Sequence, residues 1–293
     1  MAVLSAVFLG LYDVAKKASV DNNAVLPVLF VCSASGLVLM LPLAALSLFA
    51  PGLARQHGVF IEAMSGTGHL LVLAKAALVT LSWVLTYFAL KHLPISLASP
   101  IRASAPLFTL AGAVVLFGER PTLRQGAGIL IILGAYWVFS LIGRTEGIRF
   151  SRNVWVWSLF LGTLVGAASG LFDKHLLQSA KLPALAMQFW FIAYSTVIQA
   201  AIVGFLWWPR RLANTRFQFR WIMVAVGVLL VIADALYFRS LAIPGALVSV
   251  VSTLRRTNVV LSFAIGAIVF GERNRLPKAA ALAGILVGIV LLV

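Results

Sequence analysis

Ten apolar runs of membrane-crossing length, parted only by short breaks of Pro, Gly and charge, leave this chain few folds to choose from. They cover residues 2–18, 24–49, 69–90, 95–117, 123–142, 154–176, 183–207, 220–240, 245–270 and 277–293. A helix needs roughly 17–25 apolar residues to cross the hydrocarbon core of a bilayer. In lipid, only helices and closed barrels satisfy their own backbone polar groups. The runs are about twice the length of a barrel strand and lack period-two alternation, so they predict an all-α membrane protein with ten transmembrane helices. Composition agrees: 62% of residues are hydrophobic and 11% charged, against an apolar share of about 45–50% in soluble domains. The first run has no basic segment before it and no small-residue cleavage site behind it, which predicts a retained span rather than a signal peptide.

The net charge of +15 is scattered through short loops instead of gathered on one face or tail. That is the pattern of a chain beside anionic lipid headgroups, and it argues against nucleic acid as a partner. Cys32 is the only cysteine, which excludes an intrachain disulfide and a cysteine-rich metal site.

The two halves resemble each other. "GLYD" at Gly10–Asp13 returns as "GLFD" at Gly170–Asp173, and "YFALKHLP" at Tyr87–Pro94 returns as "YFRSLAIP" at Tyr237–Pro244. "LFGERP" at Leu116–Pro121 returns as "VFGERN" at Val269–Asn274. With five spans in each half, the second must insert upside down relative to the first. The expected organisation is a five-helix repeat over 1–142, a loop over 143–153, and an inverted five-helix repeat over 154–293. In such architectures the substrate site lies near the middle of the bilayer between the repeats.

On these residues the sequence resembles the drug/metabolite transporter superfamily in its ten-span EamA-type form, over essentially the whole chain. The carrying features are the Gly-Glu signatures at Gly118–Glu119 and Gly271–Glu272, the Gly10 to Lys17 spacing, and Pro106 in the fourth span. One departure is that Val259 stands where the repeat would place the counterpart of Pro106. The resemblance implies a multi-pass transporter of small molecules, expected in a bacterial cytoplasmic membrane. Family habit puts both termini inside. With the N-terminus inside, however, the inside loops would hold six basic residues and the outside loops thirteen, and the positive-inside rule then favours both termini outside.

The alignment that superposes Glu119 on Glu272 also superposes Arg102 on Arg255, and Arg256 follows directly. On a helix, Arg102 and Arg255 fall about 22 Å from one end of their spans and about 12–16 Å from the other. Arginine cannot shed its proton to escape burial, and a central charge in lipid costs at least roughly 2.5–3.5 kcal/mol. Such residues need counter-charges or a watery cavity. Two readings follow. Asp13, Asp173 and Asp234 pair with them internally, or the guanidinium groups clamp an anionic cargo bidentately. The resemblance adds that plastid sugar-phosphate exchangers, distant relatives, are similar in placing basic residues on the fourth and ninth spans around the substrate phosphate. Arg102, Arg255 and Arg256 are therefore the expected substrate ligands, and the three aspartates the expected counter-ions or coupling groups.

Other residues carry weaker signals. Asp13 and Lys17 stand four apart, the spacing of a helix-surface ion pair. Lys75 is near a span end and is expected to snorkel. Tyr87 and its mate Tyr237, with Trp83 and Thr80 on the same face, read as aromatic packing or a substrate platform. Gln188, Tyr194, Ser195 and Gln199 line the cavity or bond neighbouring helices. Trp155, Trp157, Trp207, Trp208 and Trp221 mark the interfaces. Glu119 and Glu272 read as structural, facing the next helix start. His57, His69, His92 and His175 have no metal-ligand spacing, and no Gly-x-Ser-x-Gly turn is present. The expectation is no enzyme, no catalytic residue, no metal and no cofactor. A lipid-phosphate enzyme, or an exporter of amino acids or other neutral amphiphiles with its arginines paired internally, are the competing readings. No ATP-binding loop appears, so transport would be secondary, by alternating access or antiport, with glycine-rich stretches such as "GAGILIILGA" letting helices slide.

Overall fold

The computed structural model describes residues 1–103, 105, 107–108, 122–145, 150–212, 215–243, 251, 254–255, 257–269 and 274–292. Among these residues there is no strand. The longer helices are α1 (Ala2–Val20), α2 (Val25–Phe49), α3 (Gly66–His92), α4 (Ile95–Ala103) and α5 (Leu123–Thr145). In the second half they are α6 (Val154–Lys174), α7 (Ala184–Ile202), α8 (Ile222–Leu241), α9 (Asn258–Val269) and α10 (Arg275–Leu292). A single π-helical turn prolongs α6 (His175–Ser179) and another prolongs α7 (Val203–Trp207).

Helix ends follow local chemistry. Ser65 caps α3 by accepting from the Gly68 N–H, and Asn153 caps α6 by accepting from Trp155 and Val156. Asn22 after α1 and Lys181 after α6 both adopt left-handed backbone, φ 49° and 50°, so the corresponding turn of each half is made the same way. The loop between α2 and α3 holds one element the hydropathy pattern does not announce, a short helix Pro51–Gln56 opened by its proline.

Among the described residues five helices are long and apolar enough to cross a membrane: Val25–Phe49, Gly66–His92, Val154–Ser179, Ala184–Arg210 and Ile222–Leu241. The chain is thus an all-helical, multi-pass membrane protein. Helix α1 is as long as many spans but carries Asp13, Lys16 and Lys17. Parts of the fourth and ninth expected spans, with Pro106 and Arg256, and both Gly-Glu signatures, with Glu119 and Glu272, lie outside the described residues.

Helix α1 packs along α8, and α6 along α3; α2 packs on α8, and α7 on α3. Each of these pairings becomes the other when the halves are exchanged. The pairs α2–α7, α4–α9 and α5–α10 map onto themselves. The first contacts are pinned by polar side chains: Ser5 donates to the Ala233 carbonyl, while Ser82 and Ser158 donate across α3–α6 to the carbonyls of Gly162 and Leu85. Where α2 crosses α8 the backbones meet at Gly36 and Gly227. A Cβ on Gly227 would sit 2.7 Å from the Gly36 nitrogen and 2.9 Å from the Ser35 side chain. Nothing there can yield, because the obstacle is backbone. Gly227→Val is therefore expected to lower the thermal midpoint in detergent, the overpacking costing about 1–3 kcal/mol, whereas Gly126→Ala, where a Cβ meets nothing within 4 Å, should leave the melt unchanged.

Two of the thirteen basic residues assigned to one set of loops, Lys16 and Lys278, are buried inside the protein. Lys16 is fully buried within α1, and Lys278 is 1% exposed within α10, donating to Ser96 at 2.9 Å. Removing both from the loop count narrows the charge asymmetry without reversing it.

Candidate functional site

Two clusters of buried charge lie in the interior. The first is built on Asp13 of α1. Its Oδ1 takes both the Lys16 ammonium, at 3.0 Å, and the Arg102 guanidinium arriving from α4. Its Oδ2 accepts from Asn258 Nδ2 of α9 at 2.8 Å. Lys16 lies three residues on from Asp13 and so shares its helix face. Its ammonium sits 4.5 Å from the Tyr12 ring centroid and 5.3 Å from that of Tyr87. The π faces of those rings partly replace the water it has lost.

The second cluster joins α3, α6, α8 and α9. Lys75 pairs with Asp173, and Arg255 pairs with Asp234. The Lys75 ammonium faces the Phe191 ring at 4.7 Å and the Phe238 ring at 5.3 Å. Arg255 lies over the Tyr237 ring at 4.2 Å. Asp234 and Arg255 are both within electrostatic reach of Asp173, so the two pairs act as one group. The Nε of Arg255 is buried without a hydrogen-bond partner among the described residues.

The clusters differ in balance. The second sets two cations against two carboxylates. Among the described residues the first sets Lys16 and Arg102 against Asp13, two cations to one carboxylate, in a place where charge is costly. Exposure differs too. Asp13, Lys16 and Lys75 side chains are at most 3% exposed, but Arg102 keeps 21% and Arg255 17%. The arginines are the most exposed members of each cluster.

Several expectations are corrected by these contacts. Arg102 is paired with Asp13 and Arg255 with Asp234; Arg256 lies outside the described residues. Asp173 serves Lys75 instead of an arginine. Lys75 does not snorkel, because Asp173 on the neighbouring helix neutralises it in place. Lys17 does not close on Asp13. It donates to the carbonyls of Leu90 and Leu93, where α3 ends and its last carbonyls attract a cation. Tyr87 and Tyr237 each meet a cation, though from different elements. Gln188 donates to the Val231 carbonyl of α8 at 2.8 Å, which ties two helices together. Tyr194 pairs with His69 at 2.9 Å. Sequence reasoning passed over Lys16 and Asn258. The signal for both was spacing, three residues from Asp13 and three from Arg255. Among the described residues no group of His, Cys, Asp or Glu could hold a metal ion.

Residues 1–141 match the model of the EamA-like transporter family. A solved structure titled only as the crystal structure of a protein is similar over 99% of this chain and 94% of that one, with a TM-score of 0.64 at 19% identity, a likeness of fold. No curated protein matches the chain.

Proposed function

We propose that this protein is a secondary transporter of a small anionic metabolite, a reading supported by the match of residues 1–141 to the model of the EamA-like transporter family. It works by alternating access between two inverted five-helix repeats, 1–142 and 154–293. The exchange of packing partners between the halves supports the repeat. The observation that carries the anionic cargo is the charge surplus around Asp13 together with the residual exposure of Arg102. A phosphate or carboxylate arriving at Arg102 completes the neutralisation that, among the described residues, Asp13 provides for two cations. Arg255 and its sequence neighbour Arg256 serve the second half, with Asp13, Asp173 and Asp234 as counter-ions or coupling groups.

The test is uptake into proteoliposomes across a panel of phosphorylated, carboxylated and neutral metabolites. Charged substrates are expected to be taken up, and Arg102→Gln to reduce that uptake by at least about tenfold, as loss of a charge-assisted contact worth roughly 1.5–3 kcal/mol requires. Arg255→Gln should weaken it as well. Uptake confined to neutral compounds and indifferent to both substitutions would sink the reading. One observation favours that second reading, an exporter of amino acids or neutral amphiphiles: both described arginines already have an aspartate partner.

A further inference from the structure

One member of the first cluster is uncharged. Asn258, the first residue of α9 and 7% exposed, donates from Nδ2 to Asp13 Oδ2 at 2.8 Å. The other oxygen of that carboxylate takes Lys16 and Arg102. An ionised carboxylate only accepts, so whatever meets Oδ2 in the interior must bring a donor. A further cation would do so at the expense of another buried charge, whereas an amide adds none. Asparagine has the shape of aspartate. Exchanging its amide nitrogen for an oxygen would turn two cations facing one carboxylate, the count among the described residues, into two facing two. Packing fixes the amide at this point. A Cβ on Gly10 of α1 would stand 3.0 Å from the Asn258 carbonyl oxygen and 2.9 Å from Leu261 Cβ, so the first turn of α9 lies directly against α1. Asp13, three residues on from Gly10, shares that face.

The arrangement is confined to one half. The offset that superposes Arg102 on Arg255 superposes Ala105 on Asn258, and the side chain of alanine has no donor. In the second cluster Asp173 meets Lys75, and the count is two against two among the described residues. The amide thus stands in the cluster whose described cations outnumber its carboxylate, at a position where a carboxylate would cancel the difference. We propose that Asn258 determines the specificity of the site for an anion, by holding Asp13 with an uncharged donor and so leaving a positive charge for the cargo to answer. It is a positioning residue: its action runs through Asp13 and needs no contact with the cargo. The inference rests on the anionic reading above and names the residue that confers it.

Two measurements on the full chain test this. The first is a double-mutant cycle of thermal midpoints in detergent at about pH 8. In the wild-type background Asn258→Asp should leave the midpoint unchanged or raise it, because the new carboxylate faces two cations. In the Lys16→Met background it should lower the midpoint by about 3 °C or more, because two carboxylates then share one cation. The preference of a helix start for aspartate is common to both backgrounds and cancels in the difference. Equal shifts in the two backgrounds, or a lower midpoint from Asn258→Asp alone, overturn the proposal. The second measurement is uptake into proteoliposomes of phosphorylated and carboxylated compounds, glycerol 3-phosphate and lactate among them. Asn258→Asp is expected to reduce it at least about tenfold, and Asn258→Ala, which removes the donor without adding charge, by no more than about threefold. Undiminished uptake in Asn258→Asp, or an equally deep loss in Asn258→Ala, overturns the role of Asn258 while the anionic reading stands. A wild type that takes up none of these anions overturns that reading, and the specificity role with it.

Discussion

Asp13→Asn is expected to lower the melting midpoint of the detergent-solubilised protein by on the order of 10 °C, from an uncompensated burial worth about 3–5 kcal/mol. The substitution keeps the shape of the side chain and removes the single carboxylate that two cations share. Lys16, fully buried, has no second carboxylate partner among the described residues, and the rings of Tyr12 and Tyr87 supply only part of what is lost. Lys16→Met is the instructive contrast. It leaves Asp13 and Arg102 as a one-to-one pair, so its effect on the midpoint should be small or stabilising. If the surplus charge recruits the cargo, anion uptake by Lys16→Met nonetheless falls. A midpoint in Asp13→Asn equal to that of the wild type, measured by differential scanning fluorimetry, would show that the first cluster does not hold the fold together.

The pair Lys75–Asp173 supports a second large effect. Asp173→Leu or Lys75→Met alone leaves one buried charge without its direct partner, a loss of about 3–5 kcal/mol each, while the double variant should return to within about 1 kcal/mol of the wild type. A double-mutant cycle of thermal midpoints measures that coupling directly. The double variant is then a clean reagent for function. With Asp173 as a coupling group, gradient-driven accumulation is lost while passive exchange of cargo persists. Accumulation at the wild-type level would assign the pair to stability alone. Additive losses in the cycle would mean that the two groups do not share one environment.

Much of the fold could be read along the chain. The apolar runs at 24–49 and 220–240 became α2 and α8 with ends within two residues, because the cost of leaving backbone unpaired in lipid leaves a long apolar run no other state. Those ends were further sharpened by local chemistry, as with the Ser65 and Asn153 caps. The candidate site was legible only as a parts list. Asp13, Asp173 and Asp234 were recognisable as buried carboxylates, and Arg102 and Arg255 as buried cations. Lys16 and Lys75 were misplaced because hydropathy averages over a window and cannot tell which face of a helix a lysine occupies. Asn258 was overlooked because an amide carries no charge to betray it.

Sequence alone therefore determined that this chain crosses the membrane repeatedly as helices, and that it commits an unusual number of charges to its interior. Both are sums taken along single segments, and a segment's transfer free energy hardly depends on its neighbours. Only the tertiary structure decided which cation meets which carboxylate. Arg102 finds Asp13 across 89 positions and Lys75 finds Asp173 across 98. Such partners are chosen by how each helix is rotated and which helix lies beside it, and those are set by close contacts such as Gly36 against Gly227, which no periodicity within one span encodes.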